Sequence, residues 1–163
     1  MKKNFKYIFL LIFLAPCCLL STTIHKPQLL EPKQILEVLN TLKDNAIVFG
    51  TGDNEIHTFI DPYCELSQRY LSFIFSKKDR MFSKYTFYFY LYELKGKNSF
   101  NMITTILSSE YKDTALKTVM IDHLEIVPDD NGDAQDDIDE IEYAAKKIGV
   151  FKRPYILING RVK

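Results

Sequence analysis

The chain has 163 residues, 47% of them hydrophobic, and its 21 basic residues balance 21 acidic ones. That is enough for one globular domain with a sizeable core and too little for two, and the neutral balance gives no ground for a nucleic-acid partner, which needs a net basic face. Three cysteines, two of them adjacent, make neither a disulfide framework nor a zinc site; with His25, His57 and His123 at no ligand spacing, no metal and no cofactor is expected.

Residues 1–24 read as a targeting segment rather than as part of the fold. "MKKNFKY" supplies the positive start and "IFLLIFLA" an apolar stretch of the right length. Three outcomes are open: cleavage to a soluble extracytoplasmic protein, lipidation at Cys17, or an uncleaved membrane anchor. "LAPC" resembles a bacterial lipobox, although Pro16 departs from that pattern. An anchor would be marginally short and interrupted by proline. If cleavage removes Cys17 and Cys18, Cys64 is the only thiol left in an oxidising compartment.

Residues 25–45 read as a linker and a short amphipathic helix, with Ile35, Leu36 and Leu39 at helical spacing after Pro32. A single domain follows over residues 46–163. "AIVFG" is a short strand stopped by Gly50, and "EIHTFI" is a second one. From Pro62 to about Lys78 the pattern is helical, with Leu66, Tyr70, Phe73 and Ile74 on one face. Lys77, Lys78 and Arg80 fall near its end, where cations suit the helix dipole. "YTFYFYLYEL" is apolar on both faces, as a central strand covered on both sides should be. Its tyrosine hydroxyls also need partners.

Residues from about 98 to 127 form a helical insertion, two helices broken near Ser108 and Ser109. An acidic loop then leads into a helix over about residues 136–148, closed by Gly149. "RPYILING" gives a proline, a short strand and the turn Asn159–Gly160, after which three residues remain. Strands alternating with helices predict an α/β sheet covered on both faces.

Chemistry concentrates in "HTFIDPYCELSQRY", residues 57–70. Asp61 can cap a helix and Pro62 suits its first position, which places Cys64 in the first turn. There the positive end of the dipole favours a thiolate, the form that attacks disulfides. Ser67 stands one turn on, on the same face, and its hydroxyl could donate to that sulfur. Glu65 works against a second negative charge. The residues alone leave two readings open: a reactive thiol, or a small buried hydrophobe.

"FIDPYCELS" resembles the active-site stretch of the bacterial thioredoxin-like disulfide-bond (Dsb) proteins, in which Phe-x-Asp-Pro-x-Cys-x-x-Cys opens the first helix. "GVFKRPYILING" resembles their second landmark, Gly-Val followed by a cis-proline, a strand and Asn-Gly, and "IVFG" matches their entry strand. The resemblance covers roughly Ala46 to Gly160. It implies a thioredoxin-like fold with a helical insertion and a periplasmic location. It also implies that Pro154 is cis and faces Cys64, with Arg153 offering a main-chain edge to an extended peptide.

The chain departs from that family at four places. Ser67 replaces the resolving cysteine, so the site holds one thiol and no internal disulfide. Glu65 is an unusual neighbour for the nucleophile. Arg153 stands where the family has a small or β-branched residue; beside Cys64 its charge would favour the thiolate. Lys163 ends the chain where the family continues with another strand and a closing helix, so the domain reads as shortened at its C-terminus.

One thiol still permits attack on a substrate disulfide, a mixed disulfide, and displacement by another thiol. The expected function is thiol–disulfide exchange or isomerisation on exported proteins or peptides with cysteines. Cys64 would be the nucleophile, Ser67 its hydrogen-bond partner and Arg153–Pro154 the docking edge, with a small thiol or redox partner and membrane contact only through the N-terminal segment. The alternative is a redox-inactive binding, chaperone or assembly factor on the same fold. A calcium loop counted from Asp129 fails, because the glycine it needs at the sixth position is Ala134 and the hydrophobic residue at the eighth is Asp136. His57 is expected to be a packed or rim residue, and His123 to lie on a helix surface.

Overall fold

The computed structural model describes residues 30–127 and 134–163. Cys17, Cys18, His25 and residues 129–133 of the acidic loop tested for calcium lie outside them. Helix α1 (Pro32–Thr41) starts with proline in its first turn and a capping box in which Gln34 Oε1 accepts the Glu31 N–H at 2.9 Å. Its apolar residues Ile35 and Leu39 are buried. A 3-10 turn over Lys43–Asn45 leads into β1 (Ile47–Phe49), and β2 follows over Asn54–Ile60. Then come α2 (Glu65–Phe75), α3 (Lys78–Lys84), β3 (Tyr85–Leu91), α4 (Phe100–Ser108), α5 (Lys112–Met120), α6 (Gln135–Ile148), β4 (Tyr155–Ile158) and β5 (Arg161–Val162).

The five strands form one sheet in the order β1-β3-β2-β4-β5. β2 and β3 are parallel, and every other pair is antiparallel. The long aromatic run forms β3, flanked by strands on both sides, and Phe87, Phe89, Tyr90 and Leu91 are almost wholly buried. Each buried ring or aliphatic side chain there contributes about 2 kcal/mol through the area it removes from water. Side-chain alternation divides the helices. Thr58 and Phe89 meet Tyr70 of α2, and Phe82 of α3 stacks on Phe49. The opposite face carries His57, Phe59, Tyr88 and Tyr90, with Lys43 over Tyr88 and α6 against β3.

The break between the insertion helices falls after Ser108, as the sequence predicts. Gly149 closes α6 at φ 83, a left-handed conformation suited to glycine, and its N–H bonds the Ala145 carbonyl at 3.0 Å.

Three boundaries differ from the sequence reading. The helix after Pro62 starts at Glu65, because Asp61 to Cys64 close a turn of their own, with Cys64 N–H donating to the Asp61 carbonyl at 3.1 Å. The same helix ends at Phe75, where the Ser76 hydroxyl donates to the Phe73 carbonyl at 2.8 Å, and the basic residues start a second helix, α3. The residues after the Asn159–Gly160 turn form β5, since Leu157 pairs with Val162 and Ile158 with Arg161. No helix among the described residues is long and apolar enough to cross a membrane.

Candidate functional site

The antiparallel pairing of β2 with β4 sets Phe59 opposite Tyr155. The chain leaving β2 and the chain entering β4 therefore meet at the same end of the sheet. Cys64 lies on the first segment and Arg153 on the second, and the Cys64 thiol donates to the Arg153 carbonyl oxygen at 3.7 Å. The Arg153–Pro154 peptide bond is cis. Cys64 is the N-cap of α2, at the end where first-turn N–H groups have no intrahelical acceptor. It is 6% exposed.

Ser67 is buried, and its hydroxyl oxygen accepts the Asp61 N–H at 3.4 Å. That contact ties α2 to the end of β2, so the hydroxyl oxygen engages main chain. Glu65 is exposed and ion-paired with Arg69.

Arg153 is 5% exposed, and its guanidinium is turned into the protein. Nε donates to the Tyr92 carbonyl at 2.9 Å, Nη2 to the Glu93 carbonyl at 3.1 Å and Nη1 to the Lys152 carbonyl at 2.8 Å. The same group lies 4.0 Å from the centroid of the Tyr92 ring. Burial pulls its pKa down from the ordinary arginine range, while Tyr92 and Asp61 oppose that shift. The sequence does not reveal what this cation does here: it clamps the chain leaving β3.

Asp61 is the second residue whose part the sequence obscures. It does not cap α2. Fully buried, its carboxylate accepts the N–H of Tyr63 at 2.7 Å, the hydroxyl of Ser99 at 2.8 Å and the N–H of Leu94. One side chain thus joins the Cys64 turn to the loop that leads into α4. The Asp-Pro pair marks a turn in sequence, but nothing local announces partners more than thirty residues away.

His57 sits on β2, stacked on Tyr88 at a centroid distance of 4.7 Å and hydrogen-bonded through Nδ1 to the Tyr90 hydroxyl at 2.9 Å. Burial lowers its pKa to about 4, against the opposing pull of Glu55. It is a packed residue and neutral at ordinary pH. His123 is not on a helix: it follows α5 at φ 54 and lines a cleft of about 460 Å³ with Tyr63, Gln68 and Ile126. Tyr63, the residue before Cys64, is 44% exposed and forms part of this cleft's wall. Among the described residues no group of three or more His, Cys, Asp or Glu could hold a metal ion.

No protein family matches the chain, and neither does any curated protein sequence. Solved structures do match. ScsC of Proteus mirabilis in a compact conformation is 13% identical, with a TM-score of 0.62 over 84% of this chain and 81% of that one. BdbD of Bacillus subtilis in its oxidised form is 16% identical, with a TM-score of 0.56 over 74% and 84%. A periplasmic thioredoxin-like protein from Salmonella enterica serovar Typhimurium is 14% identical, with a TM-score of 0.53 over 82% and 87%. The fold is thioredoxin-like. Within this thioredoxin-like domain, α4 and α5 form the helical segment between β3 and α6, and the Cys64 turn and the Arg153–Pro154 loop lie side by side.

Proposed function

We propose that the domain carries out thiol–disulfide exchange or isomerisation on extracytoplasmic proteins, with Cys64 as its lone nucleophile. The observation that carries this reading is the cysteine at a helix N-terminus, 3.7 Å from the main chain preceding Pro154. The helix end suits a thiolate. The Arg153 main chain would lie along an extended substrate peptide. The cleft bounded by Tyr63 and Ile126 offers room for a substrate side chain.

The chemistry follows from having one sulfur. The Cys64 thiolate attacks one sulfur of a substrate disulfide, forms a mixed disulfide and releases the other substrate sulfur as a thiolate. That thiolate, another substrate thiol or a small free thiol then attacks the substrate sulfur of the mixed disulfide. A new disulfide forms and Cys64 leaves as a thiolate. No electrons are gained or lost overall, so the reaction rearranges disulfides and does not oxidise dithiols. With serine at position 67, the mixed disulfide has no neighbouring thiol to resolve it.

A second reading has its own support. At 6% exposure, the sulfur must be uncovered before a disulfide can reach it. A domain that binds extended peptides without exchange would show the same docking edge. The two readings separate on incubation of the wild-type chain and Cys64→Ala with a disulfide-bonded peptide, followed by non-reducing gels. Exchange gives an adduct in the wild type and none in the variant. Peptide binding of equal strength in both, with no Cys64-dependent adduct, would leave a binding or assembly factor.

A further inference from the structure

Cys64 lies beyond the C-terminal end of β2. The opposite end of the strand opens on a groove of about 370 Å³ with Ile56, Ile158, Met81 and Tyr85 in its wall. Lys77, Arg80 and Lys84 stand on its rim, all exposed, beside Phe73, which is 53% exposed. Residues 77–84 hold four cations and one carboxylate, Asp79. Among the described residues none of these four cations makes an ion pair. Lys77 Nζ lies 4.6 Å from the Phe73 ring centroid, so a cation and an exposed aromatic are presented together. Unpaired cations around an apolar floor are complementary to an anionic amphiphilic surface, with phosphates over the ammonium groups and the ring at headgroup level.

The course of the chain points to the same occupant. Gly160, in the turn after β4, has φ 68, and a Cβ there would come within 2.1 Å of the Pro32 carbonyl oxygen. The start of α1 therefore lies against that turn, two residues from Ile158 of the groove. Residues 1–29 join the domain at this end, and they include the apolar run "IFLLIFLA". Arg161, paired with Ile158, is exposed here as well.

We propose that this end of the domain docks on an anionic phospholipid bilayer through Lys77, Arg80, Lys84 and Phe73, holding Cys64 away from the membrane. The Ile56–Ile60 stretch of β2 alone separates the two ends by about 13 Å. The inference does not depend on the exchange reaction and would hold for a binding factor equally.

The chain contains no tryptophan, so Phe73→Trp in the full-length protein supplies a single reporter for quenching by vesicles with brominated acyl chains. Quenching is expected with phosphatidylcholine vesicles that contain phosphatidylglycerol and not with phosphatidylcholine alone, and it should weaken at high salt. Adding Lys77→Gln, Arg80→Gln and Lys84→Gln should lower the docking equilibrium about fivefold per cation, roughly a hundredfold together. Should the triple variant fold poorly by circular dichroism, the salt and lipid series on Phe73→Trp still decides. A reporter at Phe151→Trp, beside the Cys64 end, should stay unquenched. Equal quenching with and without phosphatidylglycerol, quenching at position 151 to the same extent, or a response only to dissolved dodecanoate would each overturn the proposal.

Discussion

The sulfur of Cys64 and the main-chain oxygen of Arg153 lie 3.7 Å apart across 89 residues of sequence. The β2–β4 pairing puts them there, because the residue pair Phe59 and Tyr155 fixes the register of the two segments that carry them. The Arg153 side chain then holds Tyr92 and Glu93, while Asp61 holds Leu94 and Ser99. The site is a junction of three segments braced by two buried charges.

Ser67→Cys tests whether the site is built for one thiol. Position 67 is fully buried, one helical turn from Cys64, and cysteine is the isostere of serine with sulfur in place of oxygen. The variant is expected to form an intramolecular disulfide in oxidising buffer, seen as a two-hydrogen mass loss, and to release trapped mixed disulfides faster than wild type. Persistence of two free thiols under those conditions would show that the two positions cannot meet.

Arg153→Ala removes donors from three carbonyls in a site that water scarcely reaches. Hydrogen bonds to charged groups of this kind make a loss of about 3 kcal/mol the expected result in urea denaturation. Arg153→Lys should recover only part of it, since an ammonium cannot span the Tyr92, Glu93 and Lys152 carbonyls as a planar fork does.

Asp61→Ala leaves two main-chain N–H groups and the Ser99 hydroxyl without their acceptor. A loss of about 3 kcal/mol is expected, accompanied by faster amide exchange at Tyr63 and Leu94. Unchanged exchange at both amides would show that the carboxylate is not what joins these segments.

His57 gives a pH dependence with a definite sign. Its folded pKa of about 4 lies below the ordinary 6.5, so the unfolded chain binds the proton more readily. Above about pH 6.5 the group is neutral in both states and contributes no slope. As pH falls from there to about 4, stability should drop by roughly 3 kcal/mol, and below that the contribution levels off. Urea midpoints across this range should flatten in His57→Asn relative to wild type, whatever the absolute stability of the variant; parallel curves would refute the assignment.

Much of this architecture can be read from local pattern. The aromatic run of β3, the β-branched run of β2, the Gly149 stop and the pause at Ser108 each act within a few residues, where backbone preference and side-chain periodicity decide the outcome. Asp61 misleads for the same reason. An aspartate before a proline is a good helix cap considered locally, but its carboxylate finds better partners at Leu94 and Ser99, which no window around it contains.

The sequence by itself determined most of the segments and their order, α3 and β5 excepted, and the spacing of Cys64 three residues from Ser67. Those are matters of covalent order and short-range sterics. Tertiary structure alone decided that Cys64 meets Arg153, that the guanidinium turns inward to the chain leaving β3, and that the cations of α3 gather at the far end of the sheet. Strand register and helix packing set these relationships, and both depend on contacts between residues that the chain keeps far apart.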